Sequence, residues 1–245
     1  MARRDEIVDY ANDLLEVERF PEYGRPGLQV VGADEVQRLI VGVSSSRDLF
    51  ERAAVAGAQM VLVHHGLFWR NEPLVVDRRL RGRLEALFRG DISLVAYHLA
   101  LDAHPEIGNN AILADRLGAT YDGPFAEIGA AANFDGTVEE LTQRLRDATG
   151  REPIVFAHGP ERIRRVAIVT GGGGTRLIEA AHGGFDALVT GEPEEPALET
   201  ARELGIHFLA GGHYATETFG VKALAARLAD RFGLDWEFVE VPNPV

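Results

Sequence analysis

An α/β fold with mainly parallel pairing is predicted by two features of this 245-residue sequence. Short apolar runs alternate with helical patterns in the rhythm of βαβ units, and the alternation recurs in a second series that resembles the first. Ile7, Val8, Ala11, Leu14 and Leu15 recur at helical spacing, so residues 5 to about 18 read as an amphipathic opening helix. Pro21 and the Gly24 to Gly27 region end it. Then follow "RLIVGVS" as a strand, "RDLFERAAVAG" as a helix, "AQMVLVHH" as a strand, "RLRGRLEALFRGD" as a helix and "ISLVAYH" as a strand. After "TYDGPF", the stretch "TVEELTQRLRDATG" reads as a helix and "RRVAIVTGGGG" as a strand and turn. "TRLIEAAHGG" (helix), "FDALVTGE" (strand), "PALETARELG" (helix) and "IHFLAGGH" (strand) complete the second series. A helix at "GVKALAARLADRFG" and a strand at "DWEFVEVP" close the chain.

The two series look like copies. An offset of 127 lays Ala53, Ala54 and Gly57 on Ala180, Ala181 and Gly184, with "MVLV" over "ALVT". An offset of 115 lays Gly90 on Gly205, His98 on His213 and Asp102 on Glu217. Each copy thus ends a strand with His, three residues, then an acid, which reads as an internal duplication of two related α/β halves. The expected division is residues 1–125 plus 213–245 for the first domain and 126–212 for the second. Ligand sites in open α/β sheets lie at the carboxyl ends of strands, and that is where these residues fall.

The composition, 46% hydrophobic, is that of an ordinary globular chain. A formal charge of -13 repels polyanions, which disfavours nucleic-acid binding. There is no cysteine, so disulfides, thiolate nucleophiles and zinc-thiolate sites are excluded, and any metal must be held by His, Asp and Glu. The first twenty residues carry acids throughout and lack a signal-peptide core, and no apolar run approaches the ~20 residues of a membrane span. A cytoplasmic protein without a membrane partner is the expectation. No "GxxxxGK[ST]" or "GxSxG" occurs, so neither a P-loop nor a serine-hydrolase elbow is present.

Three polar clusters follow apolar strands: "HHG" at 64 to 66, "HLALD" at 98 to 102 and "HYATE" at 213 to 217. They offer His64, His65, His98, Asp102, His213 and Glu217. A catalytic zinc uses three protein ligands and water, so this surplus points to two metals, which a carboxylate can bridge. Imidazole and carboxylate together suit zinc, iron, manganese, cobalt or nickel. Neighbouring side chains on a strand point to opposite faces, so His64 and His65 could not easily grip one ion. Either one of them is structural or the pair serves two centres. His98 could be a ligand, a residue orienting one, or a substrate contact, and it is the candidate for proton transfer. His158, His182 and His207 read as structural, and His104 as orienting its own turn. The "TGGGGTR" turn at 170 to 176 could cradle a phosphate, although its counterpart "SSSRD" needs only a cap.

The pieces "GLQVVG", "VLVHHGLFW", "SLVAYHLALDAHPEIGNNAILADRLG" and "GGHYATETFGVKAL" resemble the Nif-three-like dinuclear metal-centre proteins, widely labelled GTP cyclohydrolase I type 2 homologues, in their compact bacterial form. The resemblance implies two intertwined α/β domains and a ring-shaped homohexamer. It implies two divalent ions per chain, with His64 and His65 serving one each. Asp102 would join the His65 ion, His213 the His64 ion, and Glu217 would bridge them. Arg25-Pro26 stands where relatives often carry Asn, and "GEPEEPALETA" lacks the histidine that many longer relatives place after the glycine. The function expected is a metal-dependent hydrolase of a small nucleotide-like or phosphorylated substrate. The rival is a non-enzymatic metal-binding scaffold or regulatory protein.

Overall fold

The computed structural model describes all residues from Met1 to Val245. The chain forms two compact units, Met1–Leu101 with Val221–Pro242, and Asp102–Gly220 with Asn243–Val245. It leaves the first unit, builds the second and returns, so both units are discontinuous in sequence. The expected divide at 125/126 falls inside a hairpin. Thr120–Phe125 hydrogen-bonds antiparallel to Gly129–Gly136, so both strands belong to the second unit.

The first unit is built on a five-stranded sheet in the order Asp235–Phe238, Arg38–Ser44, Met60–His65, Ser93–Ala96, Gly27–Val30. The first three junctions are parallel and the last is antiparallel. Met60–His65 is the middle strand, and Met60, Val61, Leu62 and Val63 are all buried. A parallel strand covered on both faces needs such an unbroken apolar run rather than an alternating one. The crossover helices Arg47–Val55 and Arg78–Arg89 start on side-chain caps. Ser46 Oγ accepts from Leu49 N at 3.1 Å, and Asp77 Oδ1 from Leu80 N at 2.7 Å. Phe50 and Leu87 on these helices pack with Ile40, Val61, Val63 and Leu94 from the sheet in one buried cluster.

The second unit is built on a six-stranded sheet in the order Thr120–Phe125, Gly129–Gly136, Ile163–Val169, Ala187–Thr190, His207–Ala210, Ile154–Phe156. Only the junctions on either side of Ala187–Thr190 are parallel. Pairing is therefore mixed rather than mainly parallel. Four strands outside the predicted alternation, Gly27–Val30, Thr120–Phe125, Gly129–Gly136 and Ile154–Phe156, each have an antiparallel neighbour. The local reason is composition. "GAAANFDG" and "TYDGPF" carry almost no β-branched residues, so their strand character comes from pairing and not from propensity. The helix Val138–Thr149 is announced by its sequence, with a capping box between Thr137 and Glu140 and a left-handed Gly150 at its end.

The duplication is visible in the backbone. Each unit holds three consecutive parallel strands joined by two helices: Arg38–Ser44, Met60–His65 and Ser93–Ala96 in the first, and Ile163–Val169, Ala187–Thr190 and His207–Ala210 in the second. Gly57 and Gly184, matched by the offset of 127, are both left-handed, with φ of 68° and 71° in the turn after the first crossover helix. Gly90 and Gly205 do not match in this way, because only Gly205 has a positive φ.

Candidate metal centre

In the first unit the donors gather at the carboxyl ends of the three parallel strands. His64 is fully buried, and its Nδ1 lies 2.8 Å from the Tyr97 carbonyl oxygen. A carbonyl only accepts, so Nδ1 carries the proton and Nε2 is the lone-pair nitrogen, the form a metal ligand requires. His65 ends its strand, with Nδ1 3.0 Å from Ser44 Oγ on the paired strand. Despite the alternation of the strand, the two rings converge at 4.8 Å between centroids. His98, two residues beyond Ala96, brings its ring to 4.9 Å from His64 and 5.5 Å from His65. Ligand nitrogens of His64, His65 and His98 all lie within 4.8 Å of one another.

Two further features hold His98. Trp69 stands edge-on to it, with centroids 5.0 Å apart at 88°. Glu22, whose side chain is only 6% exposed, accepts from Ala100 N at 2.9 Å through one oxygen and places the other 3.5 Å from His98 Nδ1. The segment around Glu22 is stitched to the Trp69 loop, with Arg70 N donating to Tyr23 O at 2.7 Å and Leu67 N to Gln29 Oε1 at 2.7 Å. Gly66 of "HHG" lets the Gln29 amide pack close, since a Cβ there would stand 2.3 Å from Gln29 Nε2 and displace it. A cavity of about 10 Å³, the size of one water, lies among Glu22, Gln29, His64, Trp69 and His98.

In the second unit the three parallel strands end in the same manner. Ala187–Thr190 runs into Glu192, and His207–Ala210 into the one-turn helix His213–Thr216 and Glu217. His213 sits between two carboxylates, with Nδ1 3.1 Å from Glu192 Oε1 and Nε2 3.2 Å from Glu217 Oε2. Burial opposes a charge on this imidazole, but the hydrogen bonds and charges of Glu217 and Glu192 outweigh it and raise its pKa to about 9. In the metal-free chain a proton therefore holds together donors that a cation could share. Glu217 is buried, and Gly171 makes room for it. A Cβ on Gly171, which has φ +63, would lie 2.1 Å from Glu217 Oε1 and 3.0 Å from His213 Nε2. The glycine-rich turn thus has a packing reason. Gly171 O accepts from Gly191 N at 2.9 Å and from Glu192 N at 3.2 Å, and Gly171 N donates to Thr216 Oγ1 at 3.1 Å.

Asp102 ends the one-turn helix Leu99–Asp102 and is buried. Its Oδ1 accepts from Asn109 Nδ2 at 2.8 Å, and Asn109 Oδ1 accepts from Gly220 N at 2.7 Å. Asn110 Nδ2 donates to Asp102 O at 3.1 Å, while Asn110 Oδ1 accepts from Thr170 N at 2.8 Å. Among the remaining histidines, His104 Nδ1 accepts from Glu106 N and Ile107 N at 3.2 Å each, orienting its turn. Buried His207 bonds Gly159 N and Pro160 O at 3.2 Å and 2.8 Å.

His64, His65 and His98 are thus together in the first unit, and His213 and Glu217 in the second, where Asp102 also lies. Each of the four site histidines has Nδ1 against a protein oxygen, which leaves Nε2 as the candidate donor. All donors are nitrogen or oxygen, so the set fits a divalent ion of the zinc, iron, manganese, cobalt or nickel kind. Glu22, Asn109, Asn110 and Glu192 are residues that sequence reasoning missed. Glu192 had a signal: the offset of 127, carried on from Gly57, lays His65 on it. Glu22 has none, because nothing local marks a loop acid that will be buried.

Comparison with known proteins places the chain in a family and agrees with its fold. A sequence model described as Duf34/NIF3 (NGG1p interacting factor 3) matches residues 2–244. A protein of Pseudomonas aeruginosa named GTP cyclohydrolase 1 type 2 homolog is 44% identical over 247 aligned positions, 97% of each chain. One of the same name from Yersinia pestis is 41% identical over 245 residues and 99% of each chain. The solved structure of protein ybgI, described as of unknown function, superposes with a TM-score of 0.96 at 40% identity over 100% of both chains. TTHA1606 from Thermus thermophilus gives 0.94 at 37% identity, also over 100% of both. Reduced HcgD from Methanocaldococcus jannaschii shares the fold, with a TM-score of 0.87 at 22% identity over 98% of each chain. Matches of this extent and identity, to a chain whose two sheets both end in imidazole and carboxylate donors, mean that the protein belongs to the Duf34/NIF3 family.

Proposed function

We propose that this protein is a hydrolase dependent on two divalent ions, acting on a small nucleotide-like or phosphorylated substrate in the cytoplasm as a ring-shaped homohexamer. The relatives' name supports a substrate of the nucleotide kind. The observation that carries the metal reading is the convergence of His64, His65 and His98 at the end of the central strand, all with ligand nitrogens within 4.8 Å of one another. His64, His65, Asp102, His213 and Glu217 are the residues that would hold the ions. Bound there, a divalent pair supplies Lewis acidity that polarises an electrophile and activates water.

The chain's own residues do the rest. His98 transfers the proton, since it stands beside His64 and His65 and its Nδ1 faces the Glu22 carboxylate, which leaves Nε2 to meet a substrate. Trp69 fixes the plane of the His98 ring from its edge. Asn109 holds the Asp102 carboxylate through Oδ1, and Asn110 holds its backbone carbonyl.

The test is metal reconstitution followed by turnover. The protein, stripped and reloaded separately with manganese, iron and zinc, should saturate at two ions per chain and hydrolyse members of a nucleotide and phosphoester panel, while Glu217→Ala should not. Saturation at one ion sinks the two-metal mechanism. Two ions with no turnover on any member favours the scaffold reading, in which closed coordination serves structure.

A further inference from the structure

We infer that Glu192 is a positioning residue of the metal centre: it holds the His213 imidazole through Nδ1 so that Nε2 is presented as the ligand. The inference rests on the metal reading above and concerns a residue to which no role is attached by motif or resemblance. Three observations carry it.

The first is contact. Glu192 Oε1 lies 3.1 Å from His213 Nδ1, on the nitrogen remote from Glu217, whose carboxylate is 3.2 Å from Nε2. The two carboxylates therefore divide the ring's two nitrogens between them. Glu217, on the Nε2 side, is placed to share an ion with the ring, whereas Glu192 is on the side where a metal-bound imidazole keeps its N–H and needs an acceptor.

The second is rigidity. Glu192 follows Ala187–Thr190, which pairs in parallel with His207–Ala210 in a register that sets Thr190 opposite Ala210. Its backbone N–H donates to Gly171 O at 3.2 Å, and Gly212 N, next to His213, donates to Gly191 O at 2.7 Å. Residues immediately before both partners are thus bonded to each other. Close packing removes slack: a Cβ on Gly191 would lie 2.7 Å from His213 Cα. The two backbones are thus fixed relative to each other, which keeps the Glu192 carboxylate within reach of the ring.

The third is the duplication. Met60 and Ala187 each open the middle one of three parallel strands, and five residues further on stand His65 and Glu192. In the first unit that position faces His98 with ring centroids 5.5 Å apart, and in the second it faces His213. The strand-end position that supplies a donor in one copy supplies, in the other, the group that orients a donor.

The experiment is a competition titration of cobalt(II) into metal-free wild type, Glu192→Ala and Glu192→Gln, with the visible absorption of bound cobalt recorded at saturation. Glu192→Ala should bind one of the ions of the wild type ten- to a hundred-fold less tightly, the range typical for removal of a residue behind a metal ligand. Glu192→Gln, which keeps an amide oxygen as acceptor, should recover part of that loss and retain the wild-type cobalt spectrum, because the ligand set is unchanged. Affinities of Glu192→Ala within twofold of wild type for every ion overturn the inference. So does an altered cobalt spectrum in Glu192→Gln, which would make Glu192 itself a ligand. A wild type that saturates at one ion defeats the two-metal mechanism but leaves this comparison intact on that ion. Melting curves of the three metal-free proteins confirm that the variants are folded.

Discussion

At the scale of single residues, Gly171 and His213 carry the sharpest consequences. Gly171 adopts φ +63 and leaves 2.1 Å between a hypothetical Cβ and Glu217 Oε1. Gly171→Ala should therefore cost about 1–2 kcal/mol for the left-handed backbone alone, and displace Glu217 as well. Urea unfolding and metal titration check the two effects separately, and an unchanged affinity would mean that Glu217 is not held where it is needed. His213 gives a pH dependence. Its pKa in the folded, metal-free chain is raised from 6.5 to about 9, so protonation is tighter in the folded state. The stability it contributes is fully present below pH 6.5 and is lost as pH rises through about 9. The melting-temperature gap between wild type and His213→Gln, both metal-free, should accordingly narrow across that window. The same proton must leave when an ion binds, so loading near neutral pH should release it, and calorimetry in buffers of different ionisation enthalpy would register the release. His98 differs in kind from these residues. Its replacement by Ala should leave two bound ions in place and lower turnover about 100-fold or more.

At the scale of elements, function sits where parallel strands end and the supporting amides follow. Asn109 is fully buried between Asp102 and the Gly220 N–H at the start of the long final helix. Asn109→Ala should cost about 1–3 kcal/mol, because a buried N–H loses its acceptor, and should weaken metal binding through Asp102. Thr137→Ala makes the contrasting prediction. It breaks the capping box of Val138–Thr149 and should cost about 1 kcal/mol with metal content unchanged, since none of the assigned donors lies on that helix. The elements also show which signals a sequence carries. Met60–His65 and Val138–Thr149 were legible because an unbroken apolar run and a capping box are local properties. Gly129–Gly136, with its three alanines, was not, because what makes it a strand is hydrogen bonding to Ile163–Val169 and Thr120–Phe125.

At the scale of the whole molecule, each unit has buried apolar clusters of its own, so its core is built without a metal ion. Chelation should leave the far-ultraviolet circular dichroism unchanged and lower the melting temperature only by the linkage of a lost ligand. Collapse of the spectrum on chelation would place this protein among those folded by their metal. The charge of -13 acts over the same scale, since it favours approach of cations and disfavours polyanions, an effect that salt screens.

The α/β class, the duplication, and the imidazoles and carboxylates at the strand ends are legible along the chain, because apolar runs, glycine turns and spacing are local properties. Even the Glu192 position was latent in the offset of 127 that pairs Gly57 with Gly184. That the His64 and His65 rings converge rather than point apart follows from the folded backbone and not from the pattern of the strand. The tertiary structure alone turned the Nδ1 atoms of the site histidines toward Tyr97 O, Ser44, Glu22 and Glu192. Those partners are distant in sequence, and which nitrogen of an imidazole faces a ligand is set by whatever the fold brings to the other one.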